Sequence, residues 1–281
     1  MSKKIILYHN HCDDGFGAAW AAWKKFGAKA RYIGVSYSEP LPKGLKGKDV
    51  YILDFCYSPQ EIKELLIITN RLVLIDHHIS NEKAVKMAPE HIFDATEHSG
   101  AYLAWKYFHP TIKIPRLIKY INDVDLWEWK LSYSHELSSF IRSYDRDFTL
   151  WNKFAKNFEN SKHRKKYVEE GKAILRANAK KVKHAVEEAE LVEFSGYKTL
   201  ASNSFHLVSY IGGKLYEKLP PIGIIWSRRN GVTVVSLRSN GKVDVAKLAE
   251  KFGGGGHRAS AAFELDPDDK LPWKVISDNI S

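Results

Sequence analysis

Short apolar runs alternate with helix-type patterns along the first half of the chain. Apolar residues at 5–8, 31–35, 50–55, 72–75 and 91–93 predict five strands. Strands that alternate with helices usually form a mostly parallel sheet that is covered by helices on both faces. The pattern therefore predicts an α/β fold for this half of the protein.

Two of the intervening helices carry start signals. Residues 58–61, Ser-Pro-Gln-Glu, have the sequence of a capping box with proline at the first helical position, which predicts a helix to about Thr69. Ser99 can cap a second helix that runs to Phe108. The apolar stripe of that helix consists of Ala101, Ala104, Trp105 and Phe108.

The pattern changes in the second half of the chain. Residues 115–158 are helical and aromatic in character, and residues 162–191 predict one long charged helix. Shorter elements follow, namely strands near 199–201, 222–226 and 232–237, a helix at 207–218, and a helix at 244–252 that Asp244 caps and Gly253 ends.

These elements predict two domains. We expect a larger domain at 1–160 with the mostly parallel sheet, and a helical linker at 161–195. A smaller α/β domain with a mixed sheet is expected at 196–281. No internal repeat or low-complexity tract is visible in the sequence.

Composition excludes several classes of protein. With 44% hydrophobic and 12% aromatic residues, the 281-residue chain can form a packed core, which argues against disorder. No segment approaches the roughly 18 uninterrupted apolar residues that a membrane span needs. The apolar run at 5–8 ends at His9 and is too short for a secretory signal. We expect a cytoplasmic protein without a membrane partner.

The formal net charge of +10 favours polyanionic partners without selecting among them. Nucleic acids, phosphorylated metabolites and polyphosphate are all compatible with it. Much of the basic excess lies between 162 and 184. That stretch is either a solvated helix face, which is the more common case, or a track for a phosphate backbone.

The chain has only two cysteines, Cys12 and Cys56. Two are too few for a disulfide framework or a four-cysteine zinc site. Each lies beside acidic residues in the sequence, so a single structural or redox pair stays open as an alternative.

Acids and histidines follow three of the predicted strands. His9 and the pair Asp13 and Asp14 follow the first strand, Asp54 follows the third, and the fourth runs into Asp-His-His at 76–78. Parallel strands bring their carboxyl ends to one edge of the sheet, where ligands bind. A lone Asp there is usually a cap or turn former, but so many buried acids would destabilise the fold without a cation. We therefore predict a metal centre at this edge.

The chemistry of these residues indicates two divalent cations. Mixed imidazole and carboxylate ligands suit Mn²⁺, with Mg²⁺, Co²⁺ or Zn²⁺ as alternatives. A pair of cations can activate a bridging water and neutralise charge on a phosphoryl group. Asp54 is the expected bridging ligand because it lies at the middle of the three sites in sequence.

Five short motifs resemble those of the DHH phosphoesterase family. They are His9 with Asp14 and Gly15, then Asp54, the eponymous Asp-His-His at 76–78, Asp-Val-Asp-Leu-Trp at 123–127, and the glycine-rich stretch at 253–263. A single tripeptide is weak support, but five motifs in the expected order span almost the whole chain. The last of them resembles a motif of the small domain that usually accompanies DHH.

The resemblance implies a role for each matching residue. The implied metal ligands are His9, Asp14, Asp54, His77 and Asp125. Asp54 would bridge the cations, and His78 would contact the substrate phosphate or orient the site. Asp76 would hydrogen-bond an imidazole and fix its tautomer. Asp54, Asp76, His77 and His78 are thus the expected catalytic set.

The first and fourth motifs leave alternatives open. Many family members carry Asp-x-Asp in the first motif, whereas two acids are adjacent here, and neighbouring side chains on an extended segment point to opposite sides. We favour Asp14 over Asp13 because a glycine follows it, and Asp125 over Asp123 because Leu-Trp follows it. His11 could replace a missing carboxylate, although a surface or outer role is favoured.

The glycine-rich stretch predicts a phosphate site in the small domain. Consecutive glycines let backbone N–H groups crowd around an anion, and the histidine and arginine that follow add donors for phosphate. The alternative is a flexible turn that closes the preceding helix. The expected substrate-binding residues are His78, Arg238, Gly254, Gly255, Gly256, His257 and Arg258.

The leading functional hypothesis is metal-dependent hydrolysis of phosphodiester bonds in short single-stranded oligonucleotides or small nucleotides, as in an oligoribonuclease. The alternative within the same family is a pyrophosphatase, polyphosphatase or nucleotide phosphomonoesterase. A non-catalytic nucleic-acid-binding protein is a rival of another class, but such a protein would gain nothing from buried acids. A homodimer is left open, and the tryptophans are expected mostly in the core.

Overall fold

The computed structural model describes residues 3–10, 12–37, 39–229 and 231–276. The chain divides into two compact units, Met1–Leu175 and Arg176–Ser281. The boundary falls inside a long helix, so the same helix contributes residues to both units. Within the described ranges, no helix combines the length and the apolar character that a bilayer crossing requires.

The first unit is built on a five-stranded sheet. Its strands are β1 (Lys4–His9), β2 (Ala30–Val35), β3 (Asp49–Leu53), β4 (Arg71–Asp76) and β5 (Glu90–Phe93). The strand order is β2-β1-β3-β4-β5, and every neighbouring pair is parallel. This confirms the predicted parallel α/β architecture, and it places β3 at the centre of the sheet.

Helices cover both faces of this sheet. They are α1 (Asp13–Phe26), α2 (Pro59–Ile68), α3 (Glu82–Val85), α4 (Gly100–Phe108), α5 (Arg116–Asp125), α6 (Ser134–Arg142) and α7 (Phe148–Glu159). Successive residues of β1 enter opposite cores, since Ile6 packs with Trp20 of α1 whereas Ile5 and Leu7 pack with Ile62 of α2. Burial on both faces explains why these strands are continuous apolar runs.

The two predicted helix starts behave differently. The capping box of α2 is present, with the Glu61 N–H donating to Ser58 Oγ and the Ser58 N–H donating to Glu61 Oε2 at 3.0 Å. At α4, Ser99 occupies the position before the helix, but its side chain makes no capping bond. The N–H of Ala101 donates instead to Asp14 Oδ1 at 3.0 Å. A carboxylate from another helix therefore caps α4.

The long charged helix is α8 (Ser161–Glu187), which was expected to run to residue 191. It ends earlier because β6 (Glu190–Phe194) begins there, with Val192 buried in the sheet of the second unit. The mixture of apolar and charged residues in Glu-Leu-Val-Glu-Phe at 190–194 makes helix and strand hard to distinguish in the sequence alone.

The second unit contains a mixed sheet of order β10-β11-β9-β8-β7-β6-β12. Among the described strands of this sheet, only β7 and β8 pair in parallel. The further elements are β7 (Tyr197–Asn203), α9 (Val208–Lys218), β8 (Ile222–Arg229), β9 (Val232–Ser239), α10 (Val245–Glu250), β10 (Gly255–His257), β11 (Ser260–Leu265) and β12 (Lys274–Val275). Asp244 caps α10 as predicted, through the Lys247 N–H.

Gly171 permits a close approach between α6 and α8. A Cβ atom at this position would lie 2.0 Å from the carbonyl oxygen of Glu136. Glycine normally costs a helix about 1 kcal/mol relative to alanine. The helix retains it here because α6 backbone occupies the space that a side chain would need.

Gly171→Ala is therefore expected to lower the free energy of unfolding of the protein by about 1–3 kcal/mol, although alanine has a higher helix propensity than glycine. Chemical denaturation followed by circular dichroism measures the change. The control is Ala173→Gly at an exposed position two residues later, where propensity alone should cost about 1 kcal/mol. A Gly171→Ala protein as stable as the wild type would contradict this account of the contact.

Candidate metal centre

The ends of three adjacent strands bring the predicted ligands together. His9 ends β1, Asp54 follows β3, and His77 follows β4. His77 Nε2 lies 3.2 Å from Asp54 Oδ1, and His9 Nδ1 lies 3.4 Å from Asp54 Oδ2. Residues far apart in sequence thus meet at the carboxyl edge of the sheet, where parallel strands were expected to place them.

Two helices contribute carboxylates to the same cluster of side chains. Asp14 lies in the first turn of α1 and Asp125 is the last residue of α5. His77 Nε2 lies 3.6 Å from Asp14 Oδ2 and 3.5 Å from Asp125 Oδ2. The buried imidazole of His77 is therefore surrounded by three carboxylates from three different elements.

The two oxygens of Asp54 face different groups. Oδ1 is directed toward His77, whereas Oδ2 is directed toward His9 and Cys12. The backbone at Asp54 has φ of 62°, a left-handed conformation that Asp adopts more readily than most residues. Such a conformation is uncommon directly after a strand, and it is typical of functional sites. The geometry suits a carboxylate that is shared between two cations.

Gly100 allows α4 to approach these acids. A Cβ atom at Gly100 would lie 2.6 Å from Asp54 Oδ1 and 2.9 Å from Asp14 Oδ2. The start of α4 therefore lies directly against the acids, and the positive end of its dipole stabilises their charge. Nothing in the sequence pattern singled out this glycine, because its role depends on a contact between distant elements.

The electrostatics of the cluster favour positive charge at its centre. Burial, together with the charges of Asp54 and Asp125, raises the pKa of Asp14 well above its usual range. Although burial opposes ionisation, the nearby imidazoles of His77 and His9 hold the pKa of Asp54 well below its usual range. Burial likewise opposes a charged His77, yet the surrounding carboxylates raise its pKa. Either an imidazolium or a metal cation can balance the negative charge of these carboxylates.

The donor atoms also fit divalent cations. Asp14 Oδ2 and Asp54 Oδ1 are enclosed, and neither accepts a well-formed hydrogen bond from the described residues. Such unsatisfied buried carboxylate oxygens would be costly unless a cation binds them. Two groups of donors each fall within 4.8 Å, and they are His9, Cys12 and Asp54 on one side and Asp14, His77 and Asp125 on the other.

Asp76 and His78 form a supporting pair. Asp76 is fully buried, and its Oδ1 lies 2.7 Å from His78 Nδ1. The same carboxylate accepts the backbone N–H of His77 at 2.7 Å and the side-chain amide of Asn81 at 2.6 Å. Asp76 therefore acts through its neighbours, since it fixes the His-His turn and the orientation of the His78 ring.

Two of the alternative ligands lie outside the cluster. Asp13 accepts from Arg142 Nε at 2.6 Å and from Arg146 Nη2 at 3.0 Å, because adjacent residues of a helix point in different directions. Asp123 is buried and accepts the Lys130 N–H at 2.8 Å and the Ser134 hydroxyl, so it closes the loop after α5. His11 lies outside the described residues.

The two arginines of the second unit that were expected to bind substrate have partners within that unit. Arg238 packs on Gly212 of α9 and donates to Ser209 Oγ at 3.1 Å. Arg258 donates to the Gly241 carbonyl at 3.0 Å and lies 4.0 Å from Asp244. These contacts position both guanidinium groups, and a role in substrate binding remains a prediction.

The glycine run is largely accounted for by the fold of the second unit. The Gly253 and Gly254 N–H groups donate to the carbonyls of Glu250 and Ala249, which ends α10. A Cβ at Gly254 would lie 2.1 Å from the Ala262 carbonyl oxygen. Gly255, Gly256 and His257 form β10, which pairs with β11. Gly253 and Gly254 thus form the turn that closes the preceding helix, which was the alternative interpretation. A phosphate cradle in this stretch remains a prediction.

A domain family and a viral protein are similar to this chain in sequence. The model of the DHHA1 domain matches residues 206–272, within the second unit. The uncharacterized protein R106 of Acanthamoeba polyphaga mimivirus is 28% identical, over 98% of this chain and 70% of its own length.

Two solved structures are similar to this chain. A DHH-domain structure described as a member of the s1p family of ribosomal proteins superposes with a TM-score of 0.56 at 15% identity, covering 93% of this chain and 82% of the other. A pGpG-specific phosphodiesterase from Vibrio cholrae covers 95% of both chains at 14% identity, with a TM-score of 0.49.

The similarities cover both halves of the chain. The DHHA1 match identifies the second unit, and the DHH-domain structure shares the fold of nearly the whole chain. The residues that carry the DHH resemblance in the first unit converge at the edge of the parallel sheet. The second unit therefore matches the DHHA1 domain, and the chain resembles the DHH phosphoesterase family in its fold and in the placement of these residues.

Proposed function

We propose that this protein hydrolyses phosphodiester bonds of short oligonucleotides or small nucleotides with the help of two divalent cations, Mn²⁺ being the expected ion. The observation that carries the proposal is the position of Asp54, whose two oxygens face two separate groups of donors. The DHHA1 match in the second unit and the resemblance of the first-unit motifs to DHH phosphoesterases support the reaction class. The net charge of +10 favours an anionic substrate.

The residues divide into those that would hold cations and those that would act on substrate. Asp14, His77 and Asp125 would hold one cation, His9 the other, and Asp54 would be shared. When bound, the cations lower the pKa of a water nucleophile and neutralise charge on the phosphoryl group. The protein itself supplies the fixed orientation of these ligands, because each side chain projects from the end of a strand or helix.

His78 is the proposed contact to the substrate phosphate. Its Nδ1 lies 2.7 Å from Asp76 Oδ1, which fixes the orientation of the ring, and an imidazole nitrogen can donate to a phosphoryl oxygen. Although burial opposes its positive charge, the Asp76 carboxylate raises the pKa of His78. A protonated His78 can then stabilise the negative charge that develops during displacement.

Exposed aromatic rings near the centre favour a nucleotide over pyrophosphate. Trp127 lies two residues after Asp125 and is 41% exposed, whereas the tryptophans were expected mostly in the core. Tyr37 is 47% exposed, and its ring centroid lies 5.1 Å from that of His9. Exposed aromatic rings can stack on nucleobases, whereas pyrophosphate has no base to stack.

Asp54→Asn tests the shared carboxylate. The substitution should abolish tight binding of two Mn²⁺ ions and lower kcat by more than about a hundredfold. Removal of a direct metal ligand lowers metal affinity and activity more than removal of a group that hydrogen-bonds to that ligand. Calorimetric titration with Mn²⁺ and steady-state kinetics measure both effects.

The matched control is Asp13→Asn, which removes a neighbouring acid that pairs with Arg142 and Arg146 outside the cluster. This variant should bind Mn²⁺ as the wild type does. Full activity of Asp54→Asn, or of the wild type after chelation, would contradict the proposal. Salt-sensitive nucleic-acid binding without turnover would indicate a non-catalytic protein instead.

The substrate class is tested by turnover with Mn²⁺ on diribonucleotides, longer RNA and DNA, cyclic dinucleotides, phosphoadenosine phosphate and pyrophosphate. We expect the highest kcat/KM on the shortest oligonucleotides. Trp127→Ala should raise KM for a dinucleotide roughly tenfold, given a base-stacking energy of 1–3 kcal/mol, and should leave pyrophosphate turnover unchanged. Faster turnover of pyrophosphate than of any nucleotide would favour the alternative activity.

A further inference from the structure

Cys12 lies within the candidate metal centre, although the sequence alone predicted no role for it in metal binding. Its Sγ lies 3.3 Å from Asp54 Oδ2. A donor atom of Cys12, one of His9 and one of Asp54 all fall within 4.8 Å of one another. The sulphur therefore belongs to the group of donors that faces Asp54 Oδ2.

The local backbone does not require a thiol at this position. Cys12 is the N-cap residue of α1, and its Sγ accepts the Gly15 N–H at 3.0 Å. Serine, threonine, aspartate and asparagine are the residues that usually make this bond, and sulphur is a weaker acceptor than their oxygens. Helix capping alone would therefore favour an oxygen-bearing side chain.

The distances match those between two ligands of a single cation. With metal–sulphur and metal–oxygen bonds of about 2.3 and 2.0 Å, tetrahedral coordination separates the two ligand atoms by roughly 3.5 Å. Nitrogen and oxygen ligands are separated by about 3.3 Å on the same basis. The observed values are 3.3 Å from Cys12 Sγ to Asp54 Oδ2, and 3.4 Å from His9 Nδ1 to the same oxygen.

We propose that Cys12 is a thiolate ligand, which together with His9 and the shared Asp54 binds one of the two cations. This inference rests on the proposed function, because it assumes that the centre binds metal. When a cation binds, the thiol proton leaves to solvent and the sulphur lone pair forms the new bond. The Gly15 N–H keeps its hydrogen bond to the sulphur and orients it.

A thiolate ligand makes the two metal positions chemically different. The position formed by Asp14, His77 and Asp125 offers oxygen and imidazole nitrogen, which suit Mn²⁺. The position formed by His9, Cys12 and Asp54 adds a soft donor, which favours Zn²⁺ or Co²⁺ over Mn²⁺ and Mg²⁺. The centre would therefore bind two different metals when both are offered.

Cobalt spectroscopy tests the thiolate directly and does not depend on enzyme activity. Co²⁺ titrated into the reduced, metal-free protein should produce a sulphur-to-cobalt charge-transfer band in the near ultraviolet. The band should be lost in Cys12→Ser, which retains a capping oxygen, and in Cys12→Asp, which offers a carboxylate. Calorimetry on the same samples shows whether cobalt still binds.

The matched control is Cys56→Ala, which removes the other of the two cysteines. Cys56 is buried in the apolar layer beneath α2, and its removal should leave the band unchanged. A wild-type protein that binds Co²⁺ without the band would overturn the thiolate and leave the metal centre intact. A wild-type protein that binds no Co²⁺ at all would overturn both the thiolate and the proposed function. A band that persists in Cys12→Ser and vanishes in Cys56→Ala would also contradict the assignment.

Discussion

The structure of the first unit depends on how the charge of its buried carboxylates is balanced. Asp14 and Asp54 are almost completely buried, and both approach the imidazole of His77. Removing carboxylates from water is costly unless a positive charge and hydrogen bonds compensate for the loss. The start of α4 and the histidines supply part of that compensation, and two divalent cations would supply the rest. This requirement links the fold to the proposed chemistry.

The parallel sheet is what makes such a cluster possible. The central strands β1, β3 and β4 are apolar and buried on both faces, so their charged groups lie at the strand ends. Three adjacent ends provide His9, Asp54 and His77, and β3 lies between β1 and β4. Asp54, which lies between the other strand-end ligands in the sequence, therefore also lies between them in the sheet.

Other features could not be read from the sequence because they depend on contacts between distant elements. The choice between Asp13 and Asp14 follows from the direction of helix residues relative to Arg142, and Gly100 matters only because α4 meets two acids. The glycine run suggested anion binding, yet much of it is needed to end α10 and pair β10 with β11. The sequence carries no signal for a role of Cys12 in metal binding, because its partner Asp54 comes from a distant segment.

The most direct test of the central claim is the anomalous diffraction of crystals of the wild-type protein soaked with Mn²⁺. The account predicts two anomalous peaks, one on each side of Asp54, with a carboxylate oxygen of Asp54 bound to each ion. A single peak that does not contact Asp54, or no peak at saturating Mn²⁺, would contradict it.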